Sequence, residues 1–364
     1  MMQALPSLSL IILSVSLLLP STSAAAWNSQ QHPLSGPLSL DQDPLASVLS
    51  PLSQRYHGAA AKDMLEGGSL LSSRQSSSST APRRDPYVAT VFSNSSSIWM
   101  PRLAEDSDPH QLNLTRANLF AHFTAIAYCS IPDLLVQWNC TRCKQIAGFQ
   151  PVSVVRDSRW NLLAYIGYYS PPERHRRITC TPSRRPPHAL IHAGFYSLWA
   201  QSELLPGVTQ AVAGLLVLHP DAALYSVGHS MGAAVAQLCA LDMKFMYNIS
   251  HVGCYTYGAP RVGNQAYQEL FNLQIAESWR FTHGRDIVPS VPLQYMGFHH
   301  VSNEVWLVDV ESSAGSETKV LMCDESGEDP SCHNSACYLG LCTSVMDHLT
   351  YMGNVAMYQD GPQC

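Results

Sequence analysis

Charge is scarce in this sequence. Only 13% of its 364 residues are Asp, Glu, Lys or Arg, against 46% hydrophobic residues, and the formal net charge at pH 7 is −6. A mildly acidic chain has no basic field to attract phosphates, which excludes nucleic acid as an expected partner. The apolar share excludes a largely disordered chain and favours a sizeable core. The sequence also has no internal repeat, so a repeat architecture is not expected.

Long apolar runs are missing after the N-terminus. The run at 8–19 is about as long as the apolar part of a secretory signal peptide and short for a membrane span. Small residues at 23–26 (SAAA) suit cleavage before Trp27, although no Lys or Arg precedes the run. We therefore expect 1–26 to be a signal peptide rather than a buried helix. The mature protein is then expected to be soluble and secreted, where disulfides form.

Residues 27–84 lack a periodic apolar pattern and are rich in Ser, Pro and Gln, which is typical of disordered segments. They end at Arg83-Arg84, a dibasic pair that a protease of the secretory pathway could cleave. We interpret 27–84 as a propeptide; the alternative is a retained flexible tail in which the pair stays uncut. Residues 85–364 are then long enough for one large domain.

From Asp85 onwards the pattern changes to one typical of alternating helices and strands. Helices are expected near 112–128 and 194–218, the second interrupted at Pro206-Gly207, and strands at 151–155, 162–166, 222–227, 252–257, 279–282 and 304–310. This alternation predicts an α/β fold with a mostly parallel central sheet and helices on both faces.

The stretch 222–236 combines a short apolar strand pattern, the pentapeptide 228–232 (GHSMG) and an Ala-rich helix pattern. Strand, G-x-S-x-G and helix in this order are typical of a nucleophile elbow, in which a tight turn exposes the serine hydroxyl. The helix start supplies free N–H groups near any oxyanion that forms. The alternative reading is a Gly/Ser turn between buried elements.

A nucleophilic serine needs a base and a carboxylate, and in α/β-hydrolases both follow it in the chain. Asp286 comes directly after a predicted strand, where a sheet presents side chains to a site, although a turn-capping role would explain it equally. The sequence has fifteen histidines. Among them His348 begins the last helical stretch, but His283 and 299–300 also lie near strand ends, so the residues alone leave the base open.

Five segments occur in order: 191–195 (IHAGF), 228–232 (GHSMG), 255–264 (YTYGAPRVGN), 286–289 (DIVP) and 347–351 (DHLTY). Together they resemble the class 3 lipases, a family of secreted fungal triacylglycerol lipases and related feruloyl esterases. The resemblance extends from about Leu112 to Cys364. It implies an α/β-hydrolase fold with a catalytic triad of Ser230, Asp286 and His348.

The same resemblance implies how these residues act. His348 would take the proton of Ser230, which attacks an ester carbonyl, while Asp286 holds His348 and stabilises its cation. The oxyanion hole is expected from the backbone N–H groups of Met231 and Tyr168. The family usually shows Arg-Gly-Thr or Arg-Gly-Ser at the second position. Here it reads 166–168 (IGY), so a phenol replaces the short hydroxyl that normally reinforces this donor.

The resemblance places a lid between Tyr168 and His192. This segment has five arginines between 174 and 185 and few large apolar residues. One reading is a polar cover with weak activation at interfaces and attraction to anionic lipid; the other is a solvated, proline-stiffened loop. Both stay open at this point.

We expect a secreted serine carboxylic ester hydrolase, in the first place a triacylglycerol lipase. The alternatives are a feruloyl-type or short-chain carboxylesterase and, outside enzymes, an inactive secreted binding protein of the same fold. The filled triad positions argue against the inactive protein. The expected partner is an ester substrate, an acylglycerol or another carboxylic ester, and a lipid–water interface is a further candidate. No cofactor, metal or protein partner is predicted.

All eleven cysteines follow residue 128. The resemblance implies the pairs Cys129–Cys364, Cys140–Cys143 and Cys323–Cys332, with Cys337–Cys342 as a further candidate. The odd remainder, Cys180, Cys239 and Cys254, requires at least one free thiol or an intermolecular bond. Four asparagines begin N-x-S/T and are candidate glycan sites: Asn94, Asn113, Asn139 and Asn248.

Overall fold

The computed structural model describes the backbone of residues 10–17 and 88–92, and residues 111–129, 131–169, 189–312, 315–337 and 342–357. The expected propeptide with Arg83-Arg84 and most of the lid segment lie outside these ranges, as do Asn94, Cys180 and Cys364.

The strands and helices largely follow the predicted pattern. The strands are β1 Leu10–Leu17, β2 Val88–Phe92, β3 Phe149–Asp157, β4 Leu162–Tyr169, β5 Ala223–His229, β6 Val252–Tyr257, β7 Glu277–His283, β8 Glu304–Ser312, β9 Gly315–Met322, β10 Thr350–Tyr351 and β11 Val355–Ala356. The helices are α1 Leu114–Ile126, α2 Pro132–Val136, α3 Ala193–Ala200, α4 Leu204–Leu218, α5 Met231–Tyr247, α6 Gln265–Gln274 and α7 Val345–His348.

Strands β1 to β9 form one sheet in the order β2-β9-β8-β7-β6-β5-β1-β4-β3, and β10 pairs with β11. β1 and β5 to β8 pair in parallel through the centre of the sheet. Antiparallel pairs lie at both sides, so that only β4 and β9 run against the direction of the other strands. The mostly parallel sheet predicted from the sequence is confirmed.

Strand β1 comes from the segment that we expect to belong to a signal peptide. Its backbone lies between β5, with which it pairs in parallel, and β4, with which it pairs antiparallel. Removal of residues 1–26 would take this strand out of the sheet. That removal stays a prediction.

The sheet separates two apolar clusters, one on each face. On one face Leu224 of β5 packs with α3, α4, α5 and α6, while on the other Tyr225 and Val227 pack with α1. Successive residues of a strand point to opposite faces, so β5 supplies both clusters and reads as a continuous apolar run. Helices therefore cover both faces, as the sequence predicts.

The helical stretch near residue 200 breaks at a different place from the one we expect. The break falls between α3 and α4, whereas Pro206 and Gly207 lie in the first turn of α4. Proline is tolerated there because the first N–H groups of a helix have no partner within it. Gly207 packs close to β3, where a Cβ would lie 2.7 Å from a methyl group of Val155.

Three of the expected disulfides are present: Cys140–Cys143, Cys323–Cys332 and Cys337–Cys342. Cys239 and Cys254 are free thiols and both are buried.

Among the candidate glycan sites, Asn139 and Asn248 are exposed. Asn113 caps α1 by accepting a hydrogen bond from the Arg116 N–H at 2.9 Å. Within the described residues, no helix combines the length and the apolar character that a bilayer crossing needs.

A buried ion cluster lies where β5, β6 and β7 begin. The Glu277 carboxylate pairs with the Arg116 guanidinium, accepts the Tyr255 hydroxyl at 2.7 Å and the Tyr225 hydroxyl at 3.0 Å, and lies 2.7 Å from His251 Nε2. Burial alone would raise the pKa of Glu277, but the His251 hydrogen bond and the Arg116 charge outweigh it and lower this pKa to about 2.

Glu277→Gln should destabilise the protein by about 3–5 kcal/mol, because it removes the carboxylate charge that pairs with the buried Arg116. The measurement is the free energy of unfolding in guanidinium chloride at neutral pH. Since the pKa of Glu277 is depressed, its contribution is present above the unfolded value of 4.5 and is lost as pH falls towards 2. The wild-type advantage over the variant should therefore shrink across that pH range.

The matched control is Glu269→Gln on α6, where the carboxylate is exposed. A surface substitution of this kind changes stability by about 0.5 kcal/mol or less. Equal stability of the two variants would contradict a stabilising role for the Glu277 cluster.

Candidate active site

Ser230 lies at the junction of β5 and α5, in a backbone conformation that few side chains adopt. Its φ is +58° and ψ is −132°, and its N–H donates to the Tyr257 carbonyl at 3.0 Å. The turn is tight because a Cβ on Gly228 would lie 2.4 Å from the Gly232 carbonyl oxygen. A strained serine between a strand and a helix is the geometry of a nucleophile elbow. The expected local structure is therefore present.

The structure brings Ser230, His348 and Asp286 into one hydrogen-bonded chain. His348 Nε2 lies 2.8 Å from Ser230 Oγ, and His348 Nδ1 lies 2.9 Å from each carboxylate oxygen of Asp286. Because an ionised carboxylate only accepts hydrogen bonds, Nδ1 carries the proton and Nε2 is left to accept from the serine hydroxyl. This tautomer is the one that can remove the proton of Ser230.

The Asp286 carboxylate is fully buried, with none of its surface exposed. Burial alone would raise its pKa, but hydrogen bonding and charge from His348, the Tyr351 hydroxyl and the Val288 N–H together lower it. The Val288 N–H donates to Oδ1 at 2.8 Å, and the Tyr351 hydroxyl donates to Oδ2. Asp286 therefore stays ionised and can stabilise a charged His348.

His229, the residue before the nucleophile, joins the elbow to the segment of His348. Its Nε2 donates to the His348 carbonyl at 2.7 Å, which leaves Nδ1 to accept the Tyr128 hydroxyl at 2.6 Å. Burial and the nearby His348 lower the pKa of His229 to about 3, so the ring is neutral. A neutral ring adds no positive charge that would oppose protonation of His348.

The segments that carry Asp286 and His348 are also tied to each other. The Ser344 N–H donates to the Arg285 carbonyl at 2.9 Å, and the Ile287 N–H donates to the Ser344 carbonyl at 3.2 Å. His333 Nε2 donates to the Asp286 carbonyl at 2.9 Å. These bonds fix the acid and the base relative to each other before any substrate arrives.

Gly258 packs directly against the side chains of Asp286 and His348. Its φ is +57°, and a Cβ at this position would lie 2.7 Å from Asp286 Oδ2, 2.8 Å from the Tyr351 hydroxyl and 2.9 Å from His348 Nδ1. Glycine is therefore required twice, by its backbone conformation and by the space that the three side chains occupy. The glycine of the segment 255–264 has a direct structural reason in this site.

The two expected oxyanion donors lie in different places. Met231 is the first residue of α5, directly after Ser230, where an N–H has no partner within the helix. Tyr168 stacks on His219, with ring centroids 4.0 Å apart, beyond the last residue of α4 and before β5 begins. Met231 therefore lies beside the nucleophile and Tyr168 does not, and both donor roles stay predictions.

The direction of β4 explains the position of Tyr168. Through β1, Tyr168 lies level with Leu224, six residues before Ser230 on β5. Six residues of a strand span about 20 Å. Since β4 runs against β5, its C-terminal end lies at the opposite edge of the sheet from the triad. In this structure Tyr168 therefore lies away from the triad, and its role as second oxyanion donor stays a prediction.

Two groups of side chains in the described residues could offer three metal ligands each. They are His333 with Cys337 and Cys342, and Asp329 with Cys323 and Cys332. In both groups the two cysteines are joined to each other as a disulfide, so neither offers a thiolate.

The arrangement can activate a serine hydroxyl for attack on an electrophilic carbon. The residue pattern predicts Ser230, and the resemblance to the class 3 lipases adds Asp286 and His348. Neither predicts the supporting residues: Tyr351, His229, Tyr128 and Gly258. Tyr351 and Gly258 belong to the quoted segments 347–351 and 255–264, yet nothing in their type indicates a contact with Asp286. His229 and Tyr128 are 101 residues apart, and only the fold brings them together.

The chain is similar to several known proteins. The Lipase (class 3) family matches residues 170–296. Secreted mono- and diacylglycerol lipase A of Penicillium camembertii is 33% identical over 168 residues, which are 46% of this chain and 52% of that protein. A lipase of Rhizomucor miehei is 33% identical over 183 residues, which are 48% of this chain and 47% of that protein. The matches thus span about half the length of these relatives.

Among solved structures, the native Rhizomucor miehei lipase propeptide complex is similar with a TM-score of 0.54 and 25% identity. The match covers 67% of this chain and 81% of that chain.

Gly258→Ala should slow the labelling of Ser230 by a fluorophosphonate by about 100-fold or more, because a displacement near 1 Å of catalytic groups has that effect. The added methyl group would push Asp286, His348 and Tyr351 apart. The measurement is the second-order labelling rate, with the modified serine identified by mass spectrometry.

The control is Gly214→Ala on α4, where a Cβ would meet nothing within 4 Å. This change favours the helix by about 1 kcal/mol and should leave labelling unchanged. Thermal unfolding of both variants separates a displaced triad from an unfolded protein. An unchanged labelling rate in Gly258→Ala would show that the site accommodates a methyl group at residue 258, contrary to these distances.

Proposed function

Because the chain belongs to the class 3 lipase family, we propose that it is a secreted serine carboxylic ester hydrolase and, within that class, a triacylglycerol lipase. The observation that carries this proposal is the continuous chain of hydrogen bonds from Ser230 through His348 to the buried Asp286. The fold supports it, because both the acid and the nucleophile follow strands of a mostly parallel sheet.

The reaction follows from the geometry. His348 Nε2 takes the proton of Ser230 as Oγ attacks the ester carbonyl, and Asp286 stabilises the resulting imidazolium. The Met231 N–H at the start of α5 faces the developing oxyanion, where the helix dipole adds to it. His348 then donates its proton to the leaving alcohol. Water, activated by the same ring, hydrolyses the acyl-enzyme and regenerates Ser230.

Exposed apolar side chains that follow Asp286 and precede His348 in the chain support a lipid surface as partner. We call them the apolar rim: Ile287, Val291, Tyr295, Met296, Val345 and Met346. They belong to the segments that carry Asp286 and His348. Tyr295 is 84% exposed and Met346 is 69% exposed, values unusual for such large side chains in water. A rim of this kind can enter the surface of an emulsion droplet and lead esters to Ser230.

The names of the relatives support acylglycerols as substrates and an extracellular location, since several are called secreted mono- and diacylglycerol lipases. An esterase for water-soluble esters, feruloyl esters among them, is the second candidate. The specific feature in its favour is the arginine-rich segment between 174 and 185, which is too polar to present an apolar lid to oil.

Ser230→Ala should lower kcat by about 10⁴ to 10⁶ on any ester that the protein hydrolyses, because the acyl-enzyme cannot form. The measurement is initial hydrolysis of emulsified triacylglycerol and of soluble short-chain and feruloyl esters by the purified secreted protein. Ser316→Ala, at an exposed serine of β9, is the control and should retain wild-type rates. Near-normal activity of Ser230→Ala would exclude the proposed mechanism.

Replacing two rim residues, Tyr295→Ser with Met346→Ser, should reduce hydrolysis of emulsified triacylglycerol about tenfold or more when droplet surface is limiting. Each lost apolar contact with lipid weakens adsorption, and about 1.4 kcal/mol corresponds to a factor of ten. Leu273→Ser, which changes an equally apolar exposed residue on α6, should not have this effect.

The substrate profile separates the two candidate enzymes. A lipase should prefer emulsions and lose this preference in the rim variant. Faster hydrolysis of soluble or feruloyl esters, unaffected by the rim substitutions, would identify the protein as an esterase instead.

A further inference from the structure

His283 lies outside the triad but touches the segment that carries its base. It is the last residue of β7, three positions before Asp286, and 7% of its side chain is exposed. Its Nδ1 lies 3.0 Å from the Asp347 carbonyl oxygen, and its Nε2 lies 3.0 Å from Asp309 Oδ2 on β8. Both nitrogens therefore face oxygens.

These contacts define the charge on the ring. A backbone carbonyl only accepts, so Nδ1 must carry a proton. Asp309 also acts as an acceptor, because hydrogen bonds from His283 and from the Thr318 hydroxyl at 2.6 Å lower its pKa and keep it ionised. Nε2 must then carry a proton as well. With two donors, His283 is an imidazolium cation.

The other groups around the ring are consistent with that charge. Among the described residues, the acidic groups that face it are Asp309 of β8 and Asp347 of α7. Thr318 of β9 reaches it through Asp309, and the Tyr351 ring of β10 lies 5.7 Å away. Burial lowers the pKa of His283, but the hydrogen bond and charge of Asp309, followed by those of Asp347, raise it above 6.5 overall.

We propose that His283 is a positioning residue: as a cation it anchors the main chain of Asp347 to β8 and thereby holds the adjacent His348 in line with Ser230 and Asp286. This inference rests on the proposed function, since it concerns the alignment of the same triad. The anchor is reinforced by the Arg285 N–H, which donates to Asp347 Oδ2 at 2.6 Å. Asp347 is thus held through its carbonyl and its carboxylate.

The sign of the pH effect follows from the donor count. A neutral imidazole has one N–H, so loss of a proton breaks the bond either to Asp309 or to Asp347. Because the pKa of His283 is raised in the folded protein, its contribution is complete below 6.5 and is lost as pH rises through the raised value. One of the two hydrogen bonds that His283 donates should therefore be lost at alkaline pH.

The first test is a nitrogen NMR titration of the full secreted chain labelled with ¹⁵N-histidine, with His283 assigned through His283→Gln. In the wild type, both ring nitrogens of His283 should be protonated at pH 7. In Asp309→Asn, which keeps an acceptor but removes the charge, the midpoint should move down by about one pH unit. Glu311→Gln removes an exposed charge from the same strand and should leave the midpoint in place.

A neutral His283 at pH 7 in the wild type would overturn the proposal. This measurement does not use Asp309→Asn, so it decides the matter even if that variant fails to fold.

The second test follows kcat against pH on a soluble ester for the same three proteins. The alkaline limb of the profile should move to lower pH in Asp309→Asn and stay unchanged in Glu311→Gln. A profile that is uniformly lower but not displaced would indicate a merely structural role and overturn the positioning role. If the wild type hydrolyses no ester, the proposed function fails, whereas the titration still reports the state of His283.

Discussion

The site depends on one buried negative charge. Asp286 has no exposed surface, so its charge is stable only because donors from separate parts of the chain surround it. Those donors are also the parts of the site: His348 is the base, Tyr351 follows it, and Val288 fixes the loop of the acid itself. The hydrogen bonds that stabilise the carboxylate charge of Asp286 therefore also align the triad. Gly258 leaves the space in which these groups meet.

The two edges of the parallel sheet carry different kinds of charged cluster. At the carboxyl ends of β5 and β7, Ser230 and Asp286 lie on the turns that carry the reacting groups. At the amino ends of the same strands, Glu277 and Arg116 form a closed ion pair with no part in the reaction. A buried pair of this kind is costly to break, so it suits a structural role. The triad instead needs a group that can change its charge. The separation lets one edge stabilise the sheet while the other reacts.

Local patterns predict those parts of the molecule that short-range physics decides. The strand, the pentapeptide 228–232 and the following helix are recognisable because a buried strand, a glycine-flanked turn and an Ala-rich helix each leave a signature in adjacent residues. Asp286 and His348 needed the resemblance to the class 3 lipases, because their meeting depends on the order of strands. Tyr351, His229 and His283 could not be assigned, since their roles arise from contacts between distant segments, and histidine and tyrosine are common in cores. The break before α4 was misplaced for a simpler reason: a proline in the first turn does not interrupt a helix.

Two of the sequence-based expectations, signal removal and the role of Tyr168, depend on one element, strand β1. Strand β1 comes from the expected signal peptide, and it separates β4, the strand of the expected second oxyanion donor, from β5. A chain without residues 1–26 has no β1, so its sheet stays continuous only if another strand pairs with β5. Parallel pairing of β4 with β5 is the arrangement that would bring Tyr168 to the edge where Ser230 lies, because parallel strands end at the same side of a sheet. Signal removal and the role of Tyr168 are therefore linked expectations, and the order of strands beside β5 in the processed protein decides both.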